Sequence, residues 1–284
     1  MISFFRSFKT ILLLIFVNTV ILSATVHIMP LGDSITYDDT YADADKPRPA
    51  SKRSGYRNYL WYMLEDAKYP ADFVGSQVAG TAIRPPFDPE NEGHPGWTTY
   101  DIAEHAYEYM SNSIPDIVLL HIGTNDRTTT NPGGITEILD EINQYEADSN
   151  HHIRVFVALI IDRKEHDGRI EIFNRRLEDM LLQRIENGDD IVIVDMYHNA
   201  GLTQKDYTDN THPNNDGYFK MAKIWYNTII NNPYDPNGKI PEKPPVSLEQ
   251  YPQSIVPLQY IESVNIQGNS VDFIAEIPDS GITF

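Results

Sequence analysis

Short apolar runs alternate with longer amphipathic segments along most of the chain. The runs have the length of β-strands and lie at 26–31, 71–74, 117–122, 153–161 and 191–194. They are apolar at nearly every position, which is typical of strands that are covered on both faces in a parallel sheet. The pattern therefore predicts five buried parallel strands.

The longer segments have the 3.6-residue period of helices with one apolar face. Five such helices are predicted, at 54–67, 98–110, 133–145, 170–186 and 215–231. In the first of them, Tyr56, Leu60, Met63 and Leu64 fall on one side. Alternation of strands and helices predicts an α/β fold, here a three-layer α/β/α sandwich of the flavodoxin-like type with a five-stranded parallel sheet.

The beginning of the chain departs from this alternation. Arg6 and Lys9 precede an apolar run that ends in small residues at Ser23 and Ala24. This order is typical of a secretory signal peptide, which we predict over 1–24. An uncleaved membrane anchor is the alternative, although the run is short for a bilayer span and contains Asn18. No later segment has the length and apolar character of a span.

The end of the chain departs from the alternation as well. The main domain is predicted over 25–231, and six prolines after it predict a stiff, extended linker over 232–253. In the remaining tail, 254–284, alternating apolar positions flank Gly268 and Asn269, which predicts a β-hairpin. A single hairpin is too small to fold alone, so it either docks on the main domain or begins a further β-domain.

Composition restricts the partners of the protein. The 284 residues are 41% apolar and can bury a sizeable core, and their formal net charge is −19. Such a charge argues against nucleic acid and against an anionic membrane surface as partners. With no cysteine, the chain has neither disulfides nor thiolate-bound metal. A neutral polymer or a small molecule fits better, and composition leaves the oligomeric state open.

Polar residues cluster after four of the five predicted strands. Ser34 follows the first strand, 92–98 lie in the loop after the second, 123–126 follow the third, and 208–218 follow the fifth. Ligands of open α/β sheets bind beyond the carboxyl ends of the strands. We therefore expect these four clusters to meet at one edge of the sheet.

Ser34 alone is weak support for a nucleophile. A serine between a strand and a helix is more often a cap, and Thr36 stands where the nucleophile-elbow motif needs glycine. A nucleophilic serine needs a base, and the base needs an orienting carboxylate. Asp209 and His212 can supply both from one loop, although an isolated pair of this kind is more often a surface histidine beside a capping aspartate.

Two further residues could stabilise an oxyanion. Gly96 has no side chain to cover its N–H, and Asn125 at the end of the third strand could aim its amide into the same space. Each alone fits an ordinary turn residue equally well. The interpretation therefore depends on the combination.

The combination resembles a known family. Gly32-Asp33-Ser34, Gly96, the GTND stretch at 123–126 and Asp209-x-x-His212 have the order and approximate spacing of the four blocks of the SGNH, or GDSL-type, hydrolases. Longer stretches such as "MPLGDSIT", "NEGHPGWTTYDI" and "THPNNDGYFKMAKIWYN" resemble carbohydrate esterase family 3, the acetylxylan-esterase-like group. The resemblance covers roughly 26–231 and extends to neither the linker nor the tail.

The resemblance implies a role for each matching residue. Ser34 would be the nucleophile, His212 the general base and Asp209 its orienting partner. The oxyanion hole would consist of the N–H groups of Ser34 and Gly96 and the side chain of Asn125. Neither a cofactor nor a metal is implied.

The function implied is a secreted serine esterase, extracellular or periplasmic, that removes acetyl groups from polysaccharide through an acyl-enzyme. Its partner would be an acetylated polysaccharide or oligosaccharide, with xylan the first candidate, and it would contact no membrane after signal removal. Two alternatives stay open: an esterase of the lysophospholipase or aryl-esterase type, and a non-catalytic carbohydrate-binding module.

Other residues near these blocks also have predicted roles. Trp97 and Tyr37 could offer a face to a sugar ring, or they could pack the loops. Arg57 is expected to be a structural hydrogen-bond donor. Aspartates follow the Ser34 turn at Asp38, Asp39, Asp43 and Asp45. Their spacing lacks the glycine and terminal glutamate of an EF-hand, so a solvated loop is expected there rather than a Ca²⁺ site.

Overall fold

The computed structural model describes residues 24–236 and two later strands, 261–267 and 270–275. The strands are β1 (Val26–Gly32), β2 (Ala71–Phe73), β3 (Gln77–Val78), β4 (Glu90–Gly93), β5 (Ile117–His121), β6 (Arg154–Ala158), β7 (Ile191–Val194), β8 (Ile261–Gln267) and β9 (Ser270–Ala275). The α-helices are α1 (Ser34–Tyr37), α2 (Arg57–Asp66), α3 (Thr99–Ala103), α4 (Ala106–Ser113), α5 (Gly133–Ser149), α6 (Gly168–Glu186), α7 (Met196–Asn199) and α8 (Asn215–Asn231).

One predominantly parallel sheet contains β1 to β7. Strands β5, β6 and β7 follow β1 in order on one side. On its other side, β1 pairs in parallel with β2 along its first half and with β4 at its end. Since β2 and β4 share one position, the sheet has five parallel positions in the flavodoxin-like order 2-1-3-4-5. The predicted fold class is confirmed.

The predicted number of five strands is wrong, since the sheet has seven. The sequence pattern does not predict β3 and β4. Strand β3 is antiparallel to β4 at the edge of the sheet. The sequence of β4, Glu-Asn-Glu-Gly, has no apolar residue, yet Asn91 and Glu92 are buried. Their side chains are satisfied by hydrogen bonds, from the Asn91 amide to Gln77 O and from Ser76 to Glu92. A strand stabilised in this way leaves no hydrophobic pattern.

Helices cover both faces of the sheet. Ile28 of β1 and Leu119 of β5 pack with α2 and α8, around the fully buried Trp225. Leu31 and Leu120, on the same two strands, pack in a second core with α3, α4, α5 and α6. Because successive side chains of a strand point to opposite faces, fully apolar strands supply both cores. The predicted three layers are confirmed.

Two predicted elements have different bounds. The single helix expected at 98–110 is interrupted at His105 and becomes α3 and α4, although Ile102 and Ala106 still reach the same core. The strand expected at 153–161 ends at Ala158. Beyond it, the Asn174 side chain hydrogen-bonds both the N–H and the carbonyl of Ile160, replacing a sheet partner.

The chain ends are described only in part. The predicted signal peptide lies outside the described residues except for its last position, as do 237–253 of the predicted linker. The residues directly after α8 still contact the core. The carbonyls of Asn232 and Pro233 accept hydrogen bonds from Arg154, and Tyr234 stacks on His152. Strands β8 and β9, which flank the predicted turn in sequence, pair antiparallel. In the described part of the chain, no helix has the length and apolarity needed to cross a membrane.

Candidate active site

Ser34 is presented at the carboxyl end of β1. A Cβ atom on Gly32 would lie 2.3 Å from the carbonyl oxygen of His121, so only glycine allows β1 and β5 to end this close together. The Asp33 carboxylate then caps α1 by accepting the N–H of Ile35. Ser34 is thus the first residue of a capped helical turn, with its side chain at the sheet edge.

Asp209, His212 and Ser34 form one hydrogen-bonded line. The Oγ of Ser34 lies 2.9 Å from Nε2 of His212. On the other side of the ring, Nδ1 lies 3.0 and 2.9 Å from the two carboxylate oxygens of Asp209. Ser34 is 8% and His212 3% exposed. The three residues that the sequence singled out, 178 positions apart at the extremes, are therefore in contact.

The carboxylate decides which nitrogen of the imidazole carries the proton. Ionised Asp209 can only accept, so Nδ1 of neutral His212 donates to it and Nε2 presents its lone pair to the Ser34 hydroxyl. Burial opposes ionisation of Asp209, but the N–H groups of Thr211 and His212 and the imidazole lower its pKa below the ordinary value. The pair can therefore withdraw a proton from Ser34.

Gly96 lies in the turn that follows β4. The register pairs Gly32 with Gly93, and the N–H of His94 donates to the carbonyl of Gly32, so this turn starts beside the Ser34 turn. Gly96 has φ +85°, and a Cβ atom there would meet nothing within 4 Å. A left-handed glycine facing open space can present its N–H to a ligand.

Asn125 connects the β5 end to the same turn. Its Nδ2 donates to the carbonyl of Trp97 at 2.8 Å, which leaves a second N–H on the amide. The next residue, Asp126, accepts both the N–H and the hydroxyl of Thr99 at the start of α3. These bonds hold the β5 end against the Gly96 turn.

Trp97 and Tyr37 both have packing partners. The Trp97 ring stacks on His94 with a centroid distance of 4.2 Å, and the Arg53 guanidinium lies 5.9 Å from the centre of the Tyr37 ring. These contacts support packing rather than a sugar platform for both. Arg57 is structural, as expected: it is fully buried and donates to four backbone carbonyls.

The expectation of a solvated acidic loop is wrong for two of its aspartates. Asp38 and Asp43 are buried and accept hydrogen bonds from Arg48, and Arg53 also donates to Asp43. Aspartates and arginines lie close together in sequence here, but only the fold buries them against each other. Within the described residues, no group of three or more metal-binding side chains is present.

Two residues of the site were missed. Glu92 is buried in β4 and accepts Nε2 of His94 at 2.6 Å, which braces the turn that contains Gly96. Tyr41 donates its N–H to Oδ2 of Asp209 at 2.9 Å, and its ring lies edge-to-face on His212. Neither role could be predicted from the sequence, because a glutamate in a polar strand and a tyrosine in an acidic loop match no motif.

Asp33, next to the nucleophile, predicts a pH effect on stability. Complete burial raises its pKa from 3.8 to about 7, against the N–H of Ile35, which lowers it. An acid with a raised folded pKa contributes stability that is lost as pH rises from about 4 to about 7. The unfolding free energy of Asp33→Asn, measured relative to the wild type, should therefore increase by a few kcal/mol as the pH rises from about 4 to about 8. This corresponds to about 1.4 kcal/mol for each unit of pKa. Urea unfolding at both pH values measures this difference, and an equal difference at both would refute the effect.

Comparisons with known proteins identify the family of the chain. The model of the GDSL-like Lipase/Acylhydrolase family matches residues 31–219, about two thirds of the chain. The chain belongs to this family. The matched range contains Ser34, Gly96, Asn125, Asp209 and His212, and the resemblance to the GDSL-type family is confirmed.

The relatives are esterases. A family 3 carbohydrate esterase of Clostridium thermocellum has 28% identity and a TM-score of 0.61, covering 73% of this chain and 96% of its own. A carbohydrate esterase family 3 structure from Talaromyces cellulolyticus has 30% identity and a TM-score of 0.60, covering 72% and 97%. An acetyl esterase, solved as a serine-to-alanine mutant with acetate ion, has the same identity, TM-score and coverage.

A curated relative is much longer than this chain. The "Multidomain esterase" of Ruminococcus flavefaciens is 28% identical over 239 residues, which cover 73% of this chain but 29% of that protein. The chain thus spans less than a third of the relative's length. Together the family and these relatives show a carboxylic ester hydrolase of the SGNH type, related to carbohydrate esterase family 3.

Proposed function

We propose that the protein is a secreted serine esterase that hydrolyses acetyl esters on polysaccharide through an acyl-enzyme. The observation that carries this proposal is the line of hydrogen bonds from Ser34 Oγ through His212 to Asp209. A serine hydroxyl, a buried imidazole and an oriented carboxylate in this order form a nucleophile with its base.

The reaction proceeds in two halves. His212 Nε2 takes the Ser34 proton as Oγ attacks the ester carbonyl, and Asp209 stabilises the resulting imidazolium. The tetrahedral intermediate then collapses, His212 returns the proton to the departing sugar oxygen, and an acetyl group remains on Oγ. Water, deprotonated by His212, attacks this ester, and His212 returns the proton to Oγ as acetate leaves.

Three donors stabilise the negative oxygen of each tetrahedral intermediate. They are the N–H groups of Ser34 and Gly96 and the free N–H of the Asn125 amide. Donors held rigidly before the reaction stabilise the developing charge at no reorganisation cost. The bond from Asn125 to Trp97 and the bond between His94 and Glu92, which braces the Gly96 turn, supply that rigidity.

The choice of substrate is supported by relatives and by charge. The structural relatives include family 3 carbohydrate esterases and an acetyl esterase mutant solved with acetate ion. The net charge of −19 opposes binding to anionic lipid. The apolar segment before Ala24 supports secretion of the protein. Outside the cytoplasm the enzyme would meet a polysaccharide.

Release of acetate from acetylated xylan tests this function. We expect the purified protein to release acetate from the polymer and, on nitrophenyl esters, to prefer acetate to long acyl chains. An organophosphonate probe should label Ser34, as mass spectrometry of the digested protein can show. A clear preference for long acyl chains would favour a lipid esterase, and failure to label Ser34 would favour a binding module.

Removal of the Asn125 amide should slow catalysis more than it affects folding. We expect Asn125→Ala to lower kcat by about 10²-fold, because loss of one oxyanion donor typically costs about 3 kcal/mol of barrier. Asn131→Ala is a matched control, since its exposed amide serves an ordinary turn by accepting the N–H of Gly133. If both variants keep wild-type kcat on acetate esters, Asn125 is not an oxyanion donor.

A further inference from the structure

Tyr41 covers the histidine of the proposed triad. The two ring centroids lie 4.9 Å apart with an interplanar angle of 78°. The Tyr41 N–H also donates to Oδ2 of Asp209 at 2.9 Å. Even so, Tyr41 is 53% exposed, one of the most exposed large aromatic side chains among the described residues. One part of the ring therefore contacts the site, and the rest faces solvent.

Buried ion pairs hold the loop that carries Tyr41. Tyr41 is the first residue of the short 3₁₀ helix Tyr41–Asp43. The Asp43 carboxylate accepts Arg48 at 3.0 Å and Arg53 at 3.1 Å, and Arg48 also donates to Asp38 at 3.0 Å. Buried carboxylates with several charged partners fix the backbone, because any other arrangement leaves a buried charge unpaired. The exposed Tyr41 ring is therefore carried by a rigid loop.

Arg127 fixes the other end of the ring. Its Nη2 donates to the Tyr41 hydroxyl at 2.5 Å, and its N–H donates to the carbonyl of Asn125 at 2.8 Å. Among the described residues its exposed guanidinium makes no ion pair. Tyr41 and Arg127 therefore form a bridge from the His212 side of the site to the Asn125 side, with N–H groups of the guanidinium still available.

We propose that Tyr41 and Arg127 form the subsite for the sugar ring that carries the acetyl ester. This rests on the proposed function: His212 must return a proton to the departing sugar oxygen, so the sugar has to lie against whatever covers His212. Tyr41 covers it. The C–H face of a sugar packs on an aromatic face, and the free guanidinium N–H groups of Arg127 donate to its hydroxyls.

Two acetate esters with different alcohols separate this role from a purely structural one. Acetate release is measured from an acetylated xylo-oligosaccharide and from ethyl acetate, whose alcohol is too small to reach a stacking platform. For Tyr41→Ala, we expect the ratio of kcat/KM for the oligosaccharide to that for ethyl acetate to fall about tenfold, mainly through KM. Tyr107→Ala is the matched control, since its hydroxyl bonds Asp148 on the outer helices, and it should leave the ratio unchanged.

A double-mutant cycle tests the bridge itself. Tyr41→Phe keeps the ring and Arg127→Met keeps much of the side-chain length, so each removes the hydroxyl–guanidinium bond. If that bond holds the ring in place, the two changes will not add in the KM for the oligosaccharide. Additive effects would overturn the bridge, and unfolding midpoints confirm that every variant is folded.

Each failure has its own signature. If Tyr41→Ala lowers kcat/KM equally for both esters, the ring only positions His212 and the subsite is overturned while the esterase function stands. If it changes neither, the ring does not contact the sugar. If the wild type hydrolyses ethyl acetate but no acetylated sugar, the proposed substrate class is wrong and the subsite with it.

Discussion

Ser34→Ala is expected to lower kcat for acetate release by at least about 10⁴-fold. Without Oγ no acyl-enzyme forms, and the triad partners have no proton to move. The remaining rate comes only from water attacking an ester held in the oxyanion hole. Acetate release from acetylated xylan by both proteins measures the effect.

The loss should come from chemistry rather than from folding. The Ser34 hydroxyl bonds His212, and a single such hydrogen bond contributes about 1 kcal/mol to stability. We therefore expect a similar unfolding midpoint for the variant. Ser111→Ala is the control, since that exposed hydroxyl only bonds the Tyr107 carbonyl on α4. If Ser34→Ala kept a tenth of the wild-type rate, Ser34 would not be the nucleophile.

Asp209→Asn is expected to lower kcat by about 10⁴-fold while leaving the loop that holds His212 in place. An amide nitrogen facing Nδ1 of His212 would donate where the carboxylate accepts, which stabilises the tautomer with its proton on Nε2. That nitrogen then cannot take the Ser34 proton. Asparagine has nearly the same size, and its amide oxygen can still accept the N–H groups of Thr211 and His212, whereas the Tyr41 N–H loses its acceptor.

The chain offers a matched control for this change. Asp195 and His198 are also three apart, with His198 Nδ1 3.0 Å from the Asp195 carboxylate and its N–H donating to it. The His198 side chain is 70% exposed, on the short helix α7. Asp195→Asn should leave kcat unchanged. If Asp209→Asn did the same, Asp209 would not orient the base, and steady-state rates on one acetate ester distinguish these results.

These two pairs show why the site could be predicted only in part. Asp195-x-x-His198 and Asp209-x-x-His212 are alike in spacing and in their local hydrogen bonds. The first pair is a surface histidine beside a capping aspartate, which is the ordinary interpretation of an isolated pair. In the second pair, His212 lies against Ser34. Family blocks distinguished the pairs in the sequence, and distance distinguishes them in the structure.

The fold was predictable wherever burial is apolar. Both sheet faces are covered, so β1, β5, β6 and β7 read as continuous apolar runs, and helices such as α2 and α8 show one apolar stripe. Strand β4 was missed because its buried Asn91 and Glu92 are satisfied by hydrogen bonds instead. The same reason applies to Asp38 and Asp43, whose sequence predicts a solvated loop although Arg48 and Arg53 pair with them in the structure.

The sequence by itself determined the layers of the fold, the edge at which the active residues meet, and the family blocks that name Ser34, Gly96, Asn125, Asp209 and His212. These depend on periodicity and on order along the chain, which a linear pattern records. Only the tertiary structure decided that Ser34 touches His212, that Glu92 braces the Gly96 turn, and that Tyr41 covers the base. The contacts of Ser34 and Tyr41 with His212 join residues far apart in sequence, and the burial of Glu92 is satisfied by polar partners, which a hydrophobic pattern does not record.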